Sequence, residues 1–229
     1  MGEGKPAAGG RGWTEGVKLV GNLRVPSFAE EEMMAAQGYR RVAGIDEAGR
    51  GALAGPVVAA AVILPTNFDA PWLSLVKDSK QLKPSLREFL SRRIHEVALG
   101  IGVGQVDARV IDILGIARAT RLAMKWAVDQ LQPPPESLLI DYMVLPEVKL
   151  PQKGITKGDC LCFSIACASI IAKVTRDRLM IELDSIYPGY RLARHKGYCT
   201  REHVDCLQRL GPCPIHRNSF RPVRELIGK

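Results

Sequence analysis

The sequence predicts an α/β fold: a mixed sheet flanked by helices, followed by a small helical C-terminal subdomain. Three observations carry that reading. Short apolar, β-branched runs bounded by Gly and Pro alternate with longer stretches whose apolar residues recur every three or four positions. Three strand-like runs finish on a carboxylate, at Asp46, Asp141 and Asp159. Between Pro188 and Lys229 nine Lys/Arg stand against three Asp/Glu, which marks the C-terminal part as basic.

Taken in order, residues 1–27 are rich in Gly, Lys and Ala with no apolar period and predict a flexible extension. "FAEEEMMAAQGY" (28–39) predicts a short helix closed by Gly38. "RRVAGID" and "GPVVAAAVILP" predict two neighbouring buried strands. "KPSLREFLSRRIHEVAL" places Leu86, Phe89, Leu90, Ile94 and Val97 on one helical face. "GIGVGQV" predicts a third strand. "DARVIDILGIARATRLAMKWAVDQL" predicts one long amphipathic helix with Asp107 as N-cap, ended by the prolines at 133–135. "SLLIDY" (137–142) predicts a short strand ending at Asp141, and "GITKGD" (154–159) a weaker one ending at Asp159. "FSIACASIIAKVTRDRLMIELDSIY" is helical by period, with Ala166, Ala168 and Ser169 small enough for close packing. "TREHVDCLQRLG" predicts a last helix between Thr200 as N-cap and Gly211. The chain thus divides into an extension with a short helix (1–39), an α/β domain (40–187) and the basic helical subdomain (188–229).

Composition bounds the function. The 229 residues, 46% hydrophobic, suffice for one full core or a core with a small appended subdomain. The longest apolar run, "PVVAAAVILP", falls far short of the roughly 20 residues of a membrane span. The N-terminus lacks the apolar core of a signal peptide. Six cysteines show no C-x-x-C spacing, which argues for reduced thiols and a cytoplasmic protein. A formal charge of +8 raises the prospect of a polyanionic partner. No G-x-x-x-x-G-K-[ST] string occurs, so a P-loop phosphotransferase is excluded.

Strand ends at one edge of an α/β sheet converge on a common crevice. Carboxylates gathered there repel one another and raise each other's pKa, unless a divalent cation neutralises them. Oxygen ligands without Cys or His point to Mg²⁺ or Mn²⁺. Two such ions about 4 Å apart activate water and stabilise the leaving oxygen of a phosphodiester. Each acid taken singly also fits an ordinary turn or helix cap.

Five segments, "VAGIDEAGRGALAGPVVAAAVIL", "KDSKQL", "LLIDY", "KGD…SIACASIIAKVTRDR" and "HKGYCT", occur in this order and resemble the successive motifs of the type 2 ribonucleases H, the bacterial ribonuclease HII family. The resemblance runs from about Arg41 to Val223. It implies a ribonuclease H-like catalytic domain and a metal-dependent endoribonuclease. Such an enzyme cleaves the RNA strand of RNA–DNA hybrids and nicks duplex DNA 5′ to single embedded ribonucleotides, leaving a 3′-hydroxyl and a 5′-phosphate. That activity serves ribonucleotide excision and RNA primer removal. It also implies a four-carboxylate site: Asp46, Asp141 and Asp159 share two Mg²⁺ or Mn²⁺ ions, and Glu47 is a further ligand or positions water. Gly49, Arg50 and Gly51 would read the ribonucleotide, bare backbone meeting its 2′-hydroxyl while Arg50 touches a phosphate. Tyr198 would stack on the next sugar. Ser79, Lys80, Lys157, Lys173, Arg176, His195 and Lys196 are the candidates for phosphate contacts. The basic C-terminal stretch would add salt-sensitive, sequence-independent affinity for the duplex. A monomer is expected.

Other readings stand beside these. "GRG" alone also fits a tight turn with a surface arginine, Tyr198 and His195 also fit packing roles, and Asp78 reads as a turn or cap residue rather than a ligand. A junction resolvase or type 1 ribonuclease H would share the strand-end acids, without needing the glycine triplet or the tyrosine motif. A catalytically dead binding module would have lost a carboxylate, and all four positions are acidic here. The sequence departs from the family pattern at Tyr142, where glycine is usual, at Cys199 in place of proline, and at Cys167 in place of alanine.

Overall fold

Five strands, β1 (Val42–Ala48), β2 (Val57–Ile63), β3 (Gly100–Val106), β4 (Ser137–Asp141) and β5 (Gln152–Ile155), form one sheet in the order β3-β2-β1-β4-β5. The structure is a computed structural model and describes residues 25–66 and 68–228; of the extension expected over residues 1–27, residues 1–24 lie outside the described residues. β1, β2 and β3 run as an antiparallel meander, while β4 and β5 lie parallel to β1, so the sheet is mixed as expected.

Burial on both faces explains the unbroken apolar run of β2, in which all seven residues are buried. Val57, Ala59, Ala61 and Ile63 face α4 (Ile116–Asp129), together with Ala119, Ala123, Met124 and Ala127. Ala60 and Val62 face the opposite layer, formed by α2 (Pro84–Val97) and α5 (Phe163–Ile186), where Leu90, Ile94, Ala166 and Ile170 pack. Small residues bring the layers close. A side chain at Gly44 would overlap the backbone of Ser164 and Ile165, which lets α5 lie directly on β1.

The remaining helices are α1 (Ala29–Ala36), α3 (Ala108–Leu114), α6 (Leu192–His195), α7 (Arg201–Leu210) and α8 (Arg221–Ile227). Asp107 and Thr200 cap α3 and α7 as expected, accepting from the backbone N–H of Val110 and His203. Two expectations are corrected. The single helix expected after Asp107 is split at Gly115, whose φ of 76° ends α3 while its carbonyl opens α4. The strand expected to end at Asp159 stops at Ile155. Lys157 turns left-handed at φ 58°, and Asp159 sits on a short 3₁₀ turn, Gly158–Cys160.

The C-terminal segment has its own apolar cluster, in which Tyr190, Leu192, Cys206, Leu207 and Val223 close over Leu53, Ala54 and Met180. All six cysteines are free thiols. Among the described residues no helix is long and apolar enough to cross a membrane.

Candidate active site

Parallel pairing of β1 with β4 decides where the acids meet. Ile45 pairs with Ile140, so Asp46 and Asp141 lie side by side, one residue further on, at the carboxyl edge of the sheet. Asp141 Oδ1 accepts from the Gly158 N–H at 2.7 Å, which draws the turn carrying Asp159 onto the end of β4. Asp46 and Asp159 are nearly buried, at 5% and 9% exposure. Asp46 Oδ1 accepts from the Glu47 N–H at 2.7 Å.

The electrostatics are those of an anionic cluster short of counter-charge. Burial holds the Asp46 carboxyl well above its usual range, and the charges of Glu47 and Asp141 add to that. Burial also raises Glu47, against the pull of Arg50 and with Asp141 adding to it. Asp141 is raised by burial, then lowered by the Gly158 N–H and raised by Asp159. Lys80 faces the cluster: burial works against its charge, yet Asp46, Asp78, Asp159 and Glu47 together raise it.

The donor set fits a hard divalent cation. Four carboxylates share one edge, and Glu47 Oε2 is buried with no hydrogen-bond partner, an acceptor left over for a cation. Among the described residues no three of these four bring ligand atoms within 4.8 Å of one another; Asp78, Asp159 and Cys160 do. Asp78 already accepts from the Lys80 N–H at 2.9 Å and from Gln81 Nε2 at 3.3 Å, which makes it a cap, in keeping with its sequence reading.

A cavity of about 630 Å³ is lined by Glu47, Asp141, Asp159, Lys157 and Tyr142. A second, of about 550 Å³, is lined by Gly49, Gly51, Lys173 and Tyr198. Glu47, Arg50 and Lys80 line both, so the two form one continuous groove. The two glycines differ. A Cβ at Gly49 would overlap the Arg176 guanidinium, and φ there is +93°, so the protein itself requires glycine. At Gly51 a Cβ would meet nothing within 4 Å.

Two buried arginines hold this loop, and sequence reasoning assigned neither that task. Arg176, fully buried on α5, donates to the carbonyls of Pro56, Lys196 and Ala54 at 2.9–3.0 Å. Arg217 donates to Gly55 O with two nitrogens and to Arg50 O at 2.9 Å; burial, then Arg176, depresses it to about 9. Arg176 is thus fully buried with each guanidinium nitrogen already bonded to a carbonyl, out of reach of a phosphate, and that expectation is corrected. His195 is corrected for the same reason, since Nε2 donates to Tyr190 O at 2.8 Å and Nδ1 accepts from the Gly197 N–H at 3.2 Å. Ser79 is buried against Ser169 Oγ at 2.8 Å. Lys80, Lys157 and Lys173 line the groove, and Lys173 pairs with Asp177 at 2.6 Å. Lys196 bonds the Ala193 carbonyl and lines an adjoining hollow that shares Arg87, Lys173 and Tyr198 with the groove. A third arginine, Arg87, was missed although it shares a helical face with Leu90 and Ile94. It donates to Ser79 O at 3.1 Å and Leu82 O at 2.6 Å, pinning the loop that carries Lys80.

Tyr198 lies opposite the triplet. Ala52 bridges to Tyr198 across the backbone, and Lys173 and Arg176 sit 5.3 and 5.2 Å from the ring centre. Behind it runs a chain of histidines. His203 Nδ1 donates to the Tyr198 carbonyl at 3.0 Å, so its Nε2 accepts from His216 Nε2 at 3.1 Å. His216 Nδ1 then accepts from the Cys213 N–H at 3.0 Å. The chain needs both rings neutral, and burial depresses each to about 4. Their contribution to stability is whole above the unfolded value near 6.5 and is lost as pH falls toward 4. Histidine proton resonances followed by NMR should show two rings titrating near 4; midpoints near 6.5 would break the chain.

A family model described as ribonuclease HII matches residues 43–223. The chain belongs to the ribonuclease HII family. The ribonuclease HII of Dehalococcoides mccartyi (strain ATCC BAA-2266 / KCTC 15142 / 195) is 57% identical over 202 residues, covering 88% of this chain and 96% of that protein. That of Desulfitobacterium hafniense (strain Y51) is 55% identical over 211 residues, covering 92% of this chain and 80% of that protein. Among solved structures, ribonuclease H2 from Pyrococcus horikoshii OT3 superposes with a TM-score of 0.67 at 27% identity, covering 81% of this chain and 96% of that one. The mixed sheet with its flanking helices is thus a ribonuclease H-like fold, and this ribonuclease HII family member is a nuclease.

Proposed function

We propose that this ribonuclease HII family member hydrolyses the RNA strand of RNA–DNA hybrids and nicks duplex DNA on the 5′ side of single embedded ribonucleotides. The products carry a 3′-hydroxyl and a 5′-phosphate. The observation that carries the reading is the shared wall of the groove: Glu47, Arg50 and Lys80 belong both to the acidic cavity and to the one lined by Gly51 and Tyr198. One substrate strand can therefore meet the acids and the bare backbone together. Asp46, Glu47, Asp141 and Asp159 would hold two divalent ions, Mg²⁺ or Mn²⁺, which would supply an activated water and neutralise charge at the scissile phosphate.

The chain's own groups do the rest. Gly51 exposes its backbone to the 2′-hydroxyl, the one group that separates RNA from DNA. Arg50, held at 3.3 Å from Glu47 Oε1, stays beside the acids and within the groove for an adjacent phosphate. Lys80 and Lys157 contact phosphate, with Lys173 beside Tyr198. Tyr198, fixed by the histidine chain, packs on the following sugar. Residues 40–187 act as catalytic domain and 188–229 as a binding subdomain of a cytoplasmic monomer serving ribonucleotide excision and primer removal.

Purified protein with Mg²⁺ or Mn²⁺ should cut a long hybrid and a duplex carrying one ribonucleotide, and leave an all-DNA duplex whole. Cutting of a four-way DNA junction with both ribonucleotide substrates intact would overturn the reading. Tyr198→Ala should reduce cutting at the single ribonucleotide about tenfold more than on the hybrid, the equivalent of about 1.4 kcal/mol. Equal losses would remove Tyr198 from junction recognition.

A further inference from the structure

Tyr142 is the residue the groove leaves unexplained. It follows Asp141 directly and stands at the centre of a three-residue turn closed by the Met143 N–H on the Asp141 carbonyl at 2.8 Å. That turn forces φ to 66°, a region where a bulky side chain is strained and glycine is not. The turn cannot relax, because the Tyr142 N–H donates to Ile155 O at 2.9 Å, at the end of β5. The side chain gains nothing inside the protein in return. It is 67% exposed, and among the described residues it has no hydrogen-bond or ring partner.

Its position supplies the missing reason. Tyr142 lines the acidic cavity with Glu47, Asp141 and Asp159, but not the adjoining cavity lined by Gly51 and Tyr198. Tyr142 and Tyr198 thus stand in different cavities, which meet at Glu47, Arg50 and Lys80. The geometry points to Tyr142 as a second aromatic platform, which packs on the sugar of the nucleotide 5′ to the scissile phosphate. This rests on the proposed function, in which Tyr198 packs on the sugar at the other end. A sugar is the matching surface, because the bases of a duplex are already stacked on one another and the groove meets the strand through its backbone. The residue would hold the strand that departs with the 3′-hydroxyl.

Hydroxyl-radical footprinting reads sugar burial directly. On a single-ribonucleotide duplex, with Asp46→Asn in the background to stop cutting, the protein should protect the ribonucleotide, the sugar on its 3′ side and the sugar 5′ to the scissile phosphate. Adding Tyr142→Gly should erase protection at the 5′ sugar alone, and Tyr142→Phe should keep it. In the cutting enzyme Tyr142→Gly should raise KM about tenfold with little change in kcat, while Tm rises by about 2–4 °C because glycine carries no side-chain strain at that positive φ. A rise in Tm with KM and the 5′ footprint unchanged would overturn the inference and leave Tyr142 as a turn residue. Loss of protection at the ribonucleotide and its 3′ neighbour already in the parent would instead overturn the proposed function.

Discussion

Asp46→Asn should abolish cutting while making the metal-free protein more stable. Asp46 is nearly buried, next to Asp141 by strand register, and its carboxyl is held well above the usual range by burial and by two neighbouring acids. A buried like-charged cluster lowers stability at neutral pH, and an amide of the same shape removes one of its charges. Relief of about 1 kcal/mol corresponds to a rise in Tm of about 2–4 °C for a chain of this size. Because the folded pKa lies above the unfolded one, the wild-type carboxyl takes up a proton on folding, and metal-free stability should increase as pH falls into that range. The variant should lose that part of the pH dependence. Activity goes the other way. Loss of about 4 kcal/mol of transition-state stabilisation is about a thousandfold in rate. Calorimetry and a cleavage assay on the same preparation check both. A variant that cuts at the wild-type rate, or that melts well below the wild type, would remove Asp46 from the centre of the site.

The glycine triplet yields the second large effect, because its two glycines serve different masters. Gly49→Ala puts a Cβ into a guanidinium already locked by three carbonyls, at a positive φ, and should destabilise the fold by about 2–4 kcal/mol. Gly51→Ala meets nothing inside the protein and should leave the unfolding free energy within about 0.5 kcal/mol of wild type. Its effect should fall on the substrate. A methyl group between backbone and ribose displaces a hydrogen bond to the 2′-hydroxyl, which amounts to about tenfold or more in kcat/KM at the ribonucleotide. Normal melting with wild-type cutting in Gly51→Ala would show that the strand does not approach there.

How far the sequence foretells this site can be judged from particular residues. Asp141 was legible because it closes its strand; Asp46, expected to close one too, lies two residues inside β1, which runs on to Ala48 against β2, yet parallel pairing still brings it beside Asp141. The split at Gly115 was visible only as a glycine inside a helical period, which does not distinguish an interior residue from a terminus. Asp159 was placed on a strand because "GITKGD" gives no sign that Lys157 turns left-handed. The anchoring by Arg176 and Arg217 was not legible at all. Both read as surface charge, and only the return of the C-terminal segment over residues 50–56 shows them buried on carbonyls. That burial turns Arg176, expected on a phosphate, and Arg217 of the basic C-terminal stretch into the clamp that holds the loop of Arg50 and residues 54–56 against Lys196.

The central claim is that the acids and the bare backbone act on one strand at a fixed offset. Mapping the cut at single-nucleotide resolution in a duplex with one embedded ribonucleotide, with Mg²⁺ present, tests it most directly. The account predicts a single nick on the 5′ side of the ribonucleotide, its 3′ end extendable by a DNA polymerase. A cut on the 3′ side, cuts scattered through the flanking DNA, or an intact duplex would contradict it.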